Sequence, residues 1–211
     1  MKTTTLKIFL LLGLMGMLFS FEIPSGWYKT GIESEGYDFE LPAGWYKTGT
    51  KSESYDMGID KGSGMDGKNA ATIKSVDKII DGYGTLMQSF LPEKFSGQRV
   101  RLSGYIKTSD VDGKAGFWFK VEQANTQNFI SFDNMRNRAV SGTTDWKKYE
   151  LVLDVPSHAT KISYGAYLRG TGQMWFDNLA FEIVDPSVPV TGKKPEKLKV
   201  INEPANLDFE N

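Results

Sequence analysis

Hydrophobic and polar residues alternate with a period of two in seven short segments of the chain. Such alternation predicts β-strands that bury one face. Turn residues separate the segments, including Asp-Gly pairs and a glycine-rich stretch at 170–172, and no helical period of ten or more residues interrupts them. The pattern predicts an all-β protein, an antiparallel sandwich or barrel. The predicted strands are Ala70–Ser75, Val100–Thr108, Gly116–Glu122, Phe129–Phe132, Lys148–Asp154, Lys161–Leu168 and Met174–Ile183.

The first twenty residues carry the features of a secretory signal peptide. Lys2 and Lys7 precede an apolar run from Ile8 to Phe19, which is 12 residues long. A run of this length suits the hydrophobic part of a signal peptide, whereas a membrane-spanning helix needs about 20 residues. We therefore predict a signal peptide over residues 1–20 and a secreted or periplasmic protein, with no membrane insertion after its removal. A short uncleaved anchor is the alternative.

An 18-residue segment occurs twice in tandem after this apolar run. Residues 21–38 and 39–56 are identical at 13 of 18 positions. A unit this short cannot bury a core of its own, so the repeat indicates duplication of one turn and one strand rather than a solenoid. We expect the second copy to supply the first strand of a domain at 39–184, around Trp45–Thr48.

The composition changes after residue 184. Residues 185–211 contain four of the eight prolines and a lysine-rich cluster, which is typical of an extended, solvated linker. The last residues, Leu207-Asp208-Phe209-Glu210, resemble the start of the repeat. We therefore predict a linker over 185–211 that leads toward a further domain.

Charge and residue usage exclude several functions. The chain has 25 basic and 26 acidic side chains, so there is no electrostatic reason to expect nucleic acid as a partner. It has no cysteine, which excludes disulfides and thiol chemistry. His158 is the single histidine, and no nucleophile-elbow motif accompanies it. We expect a protein that is not an enzyme, although a pair of carboxylates for glycoside hydrolysis stays open because its members need only meet in space.

Four segments in order resemble a known family: residues 97–108, 132–136, 142–149 and 170–178. Together they are similar to the galactose-binding-like jelly-roll domain, of the carbohydrate-binding-module type, that stands ahead of bacterial S41 peptidase and erythromycin-esterase-like domains. The resemblance covers residues 39–184. It implies an antiparallel β-sandwich of two packed sheets, a jelly roll, with a non-catalytic role, and it leaves the ligand open because fold and function separate freely.

The strand alternation also predicts a ligand-binding face. One face carries the apolar set Ile106, Phe117, Phe119, Leu151, Ile162, Tyr164 and Leu168. The other face carries aromatic residues beside long charged ones, an arrangement that suits stacking on sugar rings with polar groups fixing the hydroxyls. Alternatively, another layer covers this face, the register is off by one, or residues 133–136 form a turn closed by Asx hydrogen bonds. The predicted ligand-binding residues are Tyr105, Trp118, Lys120, Asp133, Asn134, Arg136, Tyr167 and Arg169.

A structural calcium ion is implied by the resemblance. Related jelly rolls hold calcium between an acid near the first strand and an acid in the last strand, and Glu40 and Asp177 occupy those positions here. Backbone carbonyls can complete the six to eight oxygen ligands of calcium. The alternative for both acids is ordinary hydrogen bonding in turns.

These observations predict an exported, non-catalytic module that binds carbohydrate through its aromatic face. The alternative is a structural or protein-interaction domain, an accessory part of a longer peptidase or esterase. The partner is accordingly a carbohydrate or a protein.

Overall fold

The computed structural model describes residues 39–124 and 129–193. The predicted signal peptide (1–20), the first repeat copy (21–38) and the later part of the predicted linker (194–211) lie outside them. The described chain is an all-β antiparallel sandwich, as predicted, with single turns of 3-10 helix at Ser52–Ser54 and Glu93–Phe95. No helix in this part of the chain is long and apolar enough to cross a bilayer. The strands are β1 (Tyr46–Thr48), β2 (Tyr55–Asp60), β3 (Ala70–Ser75), β4 (Tyr83–Phe90), β5 (Gln98–Glu122), β6 (Phe129–Asp133), β7 (Val140–Val155) and β8 (Lys161–Val184).

Strands β5 and β8, of 25 and 24 residues, are the longest strands of the described chain and belong to both sheets. They form one antiparallel ladder from Arg99↔Val184 to Glu122↔Lys161. Residues 114–122 of β5 and 161–169 of β8 form one sheet with β1, β4 and β6, which we call the cavity sheet. Residues 98–109 of β5 and 173–184 of β8 form the second sheet with β2, β3 and β7.

Both long strands bend where they pass from one sheet to the other. The β5–β8 ladder is interrupted between Ser109 and Asp112, and Asp110 has a positive φ of 52°. Gly113 and Gly170 face each other at this bend with φ of 136° and 80°, and a Cβ on either would lie 2.1 Å from a backbone oxygen of the facing strand. Only glycine fits at these two positions, so the predicted turns at Asp112-Gly113 and 170–172 are bends within strands. The other predicted turns, Asp66-Gly67 and Asp81-Gly82, do lie between strands.

Aromatic side chains fill the space between the two sheets. Phe181 of the second sheet meets Tyr164 and Phe119 of the cavity sheet edge-to-face, with ring centroids 4.8 and 5.6 Å apart. Phe117 and Phe176 meet similarly at 6.1 Å. Each large ring removed from water contributes about 1.5–3 kcal/mol to folding. The structure buries every residue of the predicted apolar face, which confirms that part of the alternation: Ile106, Phe117, Phe119, Leu151, Ile162, Tyr164 and Leu168.

The second repeat copy enters the sandwich through a tryptophan. The Trp45 ring contacts Tyr164 and Phe176, with centroids 5.3 and 5.9 Å apart, and β1 follows immediately to pair with β4. This copy therefore supplies the first strand of the sandwich at the predicted place.

The chain remains on the sandwich for several residues after β8 ends. Thr191 exchanges backbone and side-chain hydrogen bonds with Val152 of β7, and Lys193 forms an isolated bridge with Phe132 of β6. Arg99 donates to the carbonyls of Pro186 and Val188. The beginning of the segment predicted as a solvated linker, residues 185–193, thus packs against β6 and β7.

Candidate functional site

A cavity of about 670 Å³ lies on the outer face of the cavity sheet. All five strand segments of that sheet contribute to it, together with the turn after β6. Its lining is Thr48, Tyr83, Thr85, Met87, Lys114, Trp118, Lys120, Phe132, Asn134, Arg136, Tyr167 and Arg169.

The strand register arranges these side chains in rows across the sheet. Successive rows are two residues apart, or about 6.6 Å along a strand. Cationic residues occupy the two end rows of the cavity floor, each beside one aromatic residue, and Tyr167 and Trp118 occupy the two middle rows. The rows are Tyr83–Arg169–Lys114, then Thr48–Thr85–Tyr167–Gly116, then Met87–Gly165–Trp118, and finally Lys120–Phe132.

Trp118 is held in place by a hydrogen bond that crosses a strand. Its indole Nε1 donates to Thr85 Oγ1 at 2.9 Å, and the Thr85 hydroxyl in turn donates to the Ala166 carbonyl at 2.6 Å. To reach β4 from β5 the side chain must pass β8, whose residue in the same row is Gly165. The half-buried indole is therefore fixed across the cavity floor before any ligand arrives.

Tyr167 leans in the opposite direction, from β8 over β5. Its hydroxyl donates to the Asn134 carbonyl at 3.1 Å, and its ring occupies the space beside Gly116, where a Cβ would lie 3.2 Å from Tyr167 Cε1. Burial, assisted by the Asp133 carboxylate, raises the pKa of Tyr167 to about 12. The hydroxyl therefore keeps its proton, which it donates to Asn134, well above physiological pH.

The turn after β6 carries Asn134 and Arg136 to the cavity. Asp133 closes it, because its carboxylate accepts the Met135 amide at 2.8 Å and two hydrogen bonds from Arg138 at 2.7 and 3.1 Å. Met135 has a positive φ of 55°, unusual for a side chain of its size, and its fully buried side chain anchors the turn in the core. This is the Asx-closed turn that the sequence left open as an alternative.

The lining contains four cationic side chains and no carboxylate. Lys120 is paired with Glu122 at 2.9 Å, and Arg169 lies 3.8 Å from the fully exposed Asp81. Burial acts to raise the pKa of Glu122, but hydrogen bonds from Lys120, Ser163 and Lys161 outweigh it and hold that pKa below its usual value. Within the described residues, no ion pair involves Lys114 or Arg136.

The structure brings six of the eight predicted ligand-binding residues to this one cavity. They are Trp118, Lys120, Asn134, Arg136, Tyr167 and Arg169. Tyr105 lies instead in the second sheet, opposite Lys148 and Asp177, because the bend at residues 109–113 separates it from Trp118. Asp133 is buried beneath the turn, where its carboxylate accepts hydrogen bonds from Met135 and Arg138. Ligand binding by these eight residues stays a prediction.

Half of the lining was not anticipated from the sequence. Tyr83, Thr85 and Met87 come from β4, a strand that the alternation did not indicate because apolar residues lie on both of its faces. The signal that could have identified β4 is the run of β-forming residues directly after the Asp81-Gly82 turn. The remaining three are Thr48, Lys114 and Phe132.

The residues named for calcium engage backbone groups. Asp177 accepts the Met65 amide at 3.2 Å on Oδ2 and the Asn178 amide at 2.7 Å on Oδ1. The Glu40 carbonyl accepts the Ile59 amide at 2.8 Å. The described residues contain no group of three or more acidic or histidine side chains placed to hold a metal. An ion here would therefore depend on backbone carbonyls for most of its ligands, and calcium binding stays a prediction.

A second depression, of about 450 Å³, lies on the outer face of the second sheet. Trp175 is its aromatic residue, and the indole Nε1 donates to Asp60 Oδ2 at 2.7 Å while the Lys107 ammonium lies 5.5 Å from the ring. Its other lining residues are Thr108, Ser109, Thr143, Thr144 and Asp145. With one aromatic ring in its lining against four in the cavity, it is the weaker candidate.

Comparison with known proteins gives one curated relative. No family model matches the chain. The uncharacterized HTH-type transcriptional regulator YbfP of Bacillus subtilis (strain 168) is 43% identical over 155 residues, which are 72% of this chain and 52% of that protein. The chain thus spans about half the length of the curated relative it matches.

Solved structures resemble the fold at low sequence identity. The enzymatically active domain of tailspike protein 4 from bacteriophage CBA120 superposes with a TM-score of 0.51 at 11% identity, over 67% of this chain and 20% of that one. The xylan-binding CBM22-1 domain of Paenibacillus barcinonensis Xyn10C gives 0.49 at 13% identity, over 71% and 91% of the two chains. At such identities the likeness concerns the fold alone.

Proposed function

We propose that this protein is a non-catalytic module that binds carbohydrate in the cavity of the cavity sheet. One observation carries the proposal: Trp118 and Tyr167 lie in the middle of an open cavity, each fixed by a hydrogen bond to another strand or turn. Flat rings held in advance bind sugar rings well because little conformational freedom is lost on binding. Asn134, Lys120 and the arginines around them supply polar groups for hydroxyls.

Binding rather than catalysis is favoured by what lines the cavity. Glycoside hydrolysis uses two carboxylates on either side of the scissile bond. No lining residue of this cavity is acidic. His158 is exposed in the turn between β7 and β8 and does not line the cavity.

Affinity electrophoresis of the full chain tests the proposal. Native gels containing xylan, mixed-linkage β-glucan, galactan or polygalacturonate would be run with the wild type and with Trp118→Ala. A central aromatic residue of a binding site is worth about 2 kcal/mol or more, so at least a roughly 30-fold weakening is expected in the variant. Retardation of the wild type by at least one polysaccharide, lost in Trp118→Ala, is the expected result.

Two other tryptophans make the experiment specific. Trp146 lines neither depression, so Trp146→Ala should keep wild-type retardation and serves as the matched control. Trp175 belongs to the second depression. Loss of retardation in Trp175→Ala but not in Trp118→Ala would overturn the assignment of the site, and no retardation of folded wild type in any gel would overturn the carbohydrate proposal.

A second candidate function follows from the curated relative. Because a long segment is shared with a protein named as a transcriptional regulator, we propose as the alternative that the sandwich is an accessory domain that senses a ligand for, or docks onto, another domain. The described residues contain no α-helix, whereas a helix-turn-helix needs two. If the immobilised chain retains a partner domain, and Trp118→Ala retains it equally well, this alternative is favoured. The peptidase or esterase context is one form of it.

Export is also a proposal, based on residues 1–20. Fusion of the chain to a phosphatase that is active only outside the cytoplasm would test it. Activity that depends on residues 1–20, with a mature N-terminus at Phe21 by sequencing, is expected. An active fusion that keeps residues 1–20 would indicate the uncleaved anchor instead.

A further inference from the structure

Positive charge is concentrated in the cavity although the protein as a whole is close to neutral. The chain has 25 basic against 26 acidic residues, yet the lining has four basic side chains and no acidic one. The concentration is therefore local to the cavity. Low-dielectric walls strengthen such a field and favour an oppositely charged group inside the cavity.

Two of these cations lie where the sheet alone would not favour them. Lys114 of β5 and Arg169 of β8 are direct cross-strand partners, and both side chains line the cavity. Like charges in directly opposite positions destabilise a sheet. The nearby Asp81 compensates little, because it is fully exposed and 3.8 Å from Arg169. Both side chains are exposed, and a bound anion would offset the remaining repulsion between them.

The aromatic and cationic groups are arranged for one composite ligand. Arg169 is the residue next but one to Tyr167 on β8, so its row is about 6.6 Å from the ring row. Arg136 approaches from the turn that also holds Tyr167 through Asn134. Guanidinium groups match planar carboxylates in a bidentate manner. We infer that the cavity selects acidic saccharides, whose rings stack on Trp118 and Tyr167 while their carboxylates pair with Lys114, Arg136 and Arg169.

This inference rests on the proposed carbohydrate-binding function, and its test separates the two. Polygalacturonate, its fully methyl-esterified form and dextran sulfate would be compared as probes in affinity electrophoresis at 20 and 200 mM salt. The wild type should be retarded by polygalacturonate far more than by the ester, and less so at high salt. Lys114→Gln and Arg169→Gln should each weaken this retardation by about tenfold.

A control variant and a stability readout distinguish a binding role from a structural one. Lys61→Gln/Lys78→Gln removes two exposed cations that do not line the cavity and should keep wild-type retardation. In urea denaturation, Lys114→Gln should be at least as stable as the wild type, because it relieves the repulsion with Arg169. A loss of retardation together with a loss of stability would contradict the inference.

Three other outcomes would also overturn it. If polygalacturonate and its ester retard the wild type equally, and Trp118→Ala loses this retardation, the carbohydrate proposal stands but the cavity does not select acidic saccharides. If dextran sulfate retards the wild type and Trp118→Ala equally, the cavity binds polyanions in general rather than acidic saccharides. Retardation by no probe and no neutral polysaccharide would end both proposals.

Discussion

Thr85→Val removes the group that fixes Trp118 while keeping the shape of the side chain. Thr85 is 4% exposed, and its hydroxyl accepts from the indole and donates to the Ala166 carbonyl. Loss of two hydrogen bonds, each worth about 0.5–1.5 kcal/mol, should lower the free energy of unfolding by roughly 1–3 kcal/mol. The freed indole must then be immobilised by the ligand, which costs about 0.5–1.5 kcal/mol and should weaken binding about 2- to 12-fold.

The second sheet contains a matched control for this variant. Thr72 is fully buried, its hydroxyl donates to the Met174 carbonyl at 2.9 Å, and it accepts from Gln173 Nε2 at 3.0 Å. Thr72→Val should therefore lose similar stability and keep wild-type affinity. Urea denaturation and calorimetric titration with the polysaccharide that retards the wild type most would measure both quantities. If the two variants weaken binding equally, the hydrogen bond does not prepare Trp118 for its ligand.

Four further changes test other parts of the account. Asp133→Ala should lower the free energy of unfolding by about 3 kcal/mol and Asp133→Asn by less, because the amide keeps an acceptor for the Met135 amide; equal losses in denaturation would contradict the turn described here. Gly170→Ala should destabilise far more than Gly142→Ala, since both have positive φ but a Cβ meets a backbone oxygen at 2.1 Å only at Gly170; equal effects would show that the bend has room. Because the pKa of Tyr167 is raised from 10 to about 12, the folded state holds this proton more tightly than the unfolded state does. The free energy of unfolding should therefore be unaffected by this group below pH 10 and should fall as the pH rises toward 12. Tyr167→Phe should make that fall less steep, as measured by denaturation midpoints. Calcium should raise the melting temperature over that in EDTA if an ion binds, an effect that Asp177→Asn should abolish; identical melting curves would reject the site.

The sandwich was predictable because its core obeys simple alternation. Phe117, Phe119, Tyr164 and Leu168 recur at every second position, and burial of one face is sufficient to specify such strands. The length of β5 and β8 was not predictable in the same way. The glycines within these two strands predict turns that end a strand, whereas the pairing of β5 with β8 continues on both sides of a bend. Sequence alone does not distinguish a chain that reverses at a glycine from one that bends there.

The candidate site was predictable where neighbouring site residues lie on the same side of the bend in one strand. Trp118 and Lys120, or Tyr167 and Arg169, fall on one face by alternation, and the structure keeps them together. Tyr105 was assigned to the same face but lies in the other sheet, because the irregular residues between Ser109 and Asp112 interrupt the alternation between the two halves of β5. Thr85 was missed because its importance comes from a hydrogen bond across β8, a long-range relation that local patterning does not contain.

The most direct test of the account observes the indoles themselves. The full chain labelled with 5-fluorotryptophan gives one fluorine resonance per tryptophan, and the variants Trp118→Phe, Trp146→Phe and Trp175→Phe identify the resonances of these three residues. On titration with the polysaccharide that retards the wild type, the Trp118 resonance should move while those of Trp146 and Trp175 stay in place. If the Trp175 resonance moves and that of Trp118 does not, carbohydrate binds elsewhere and the central claim is wrong.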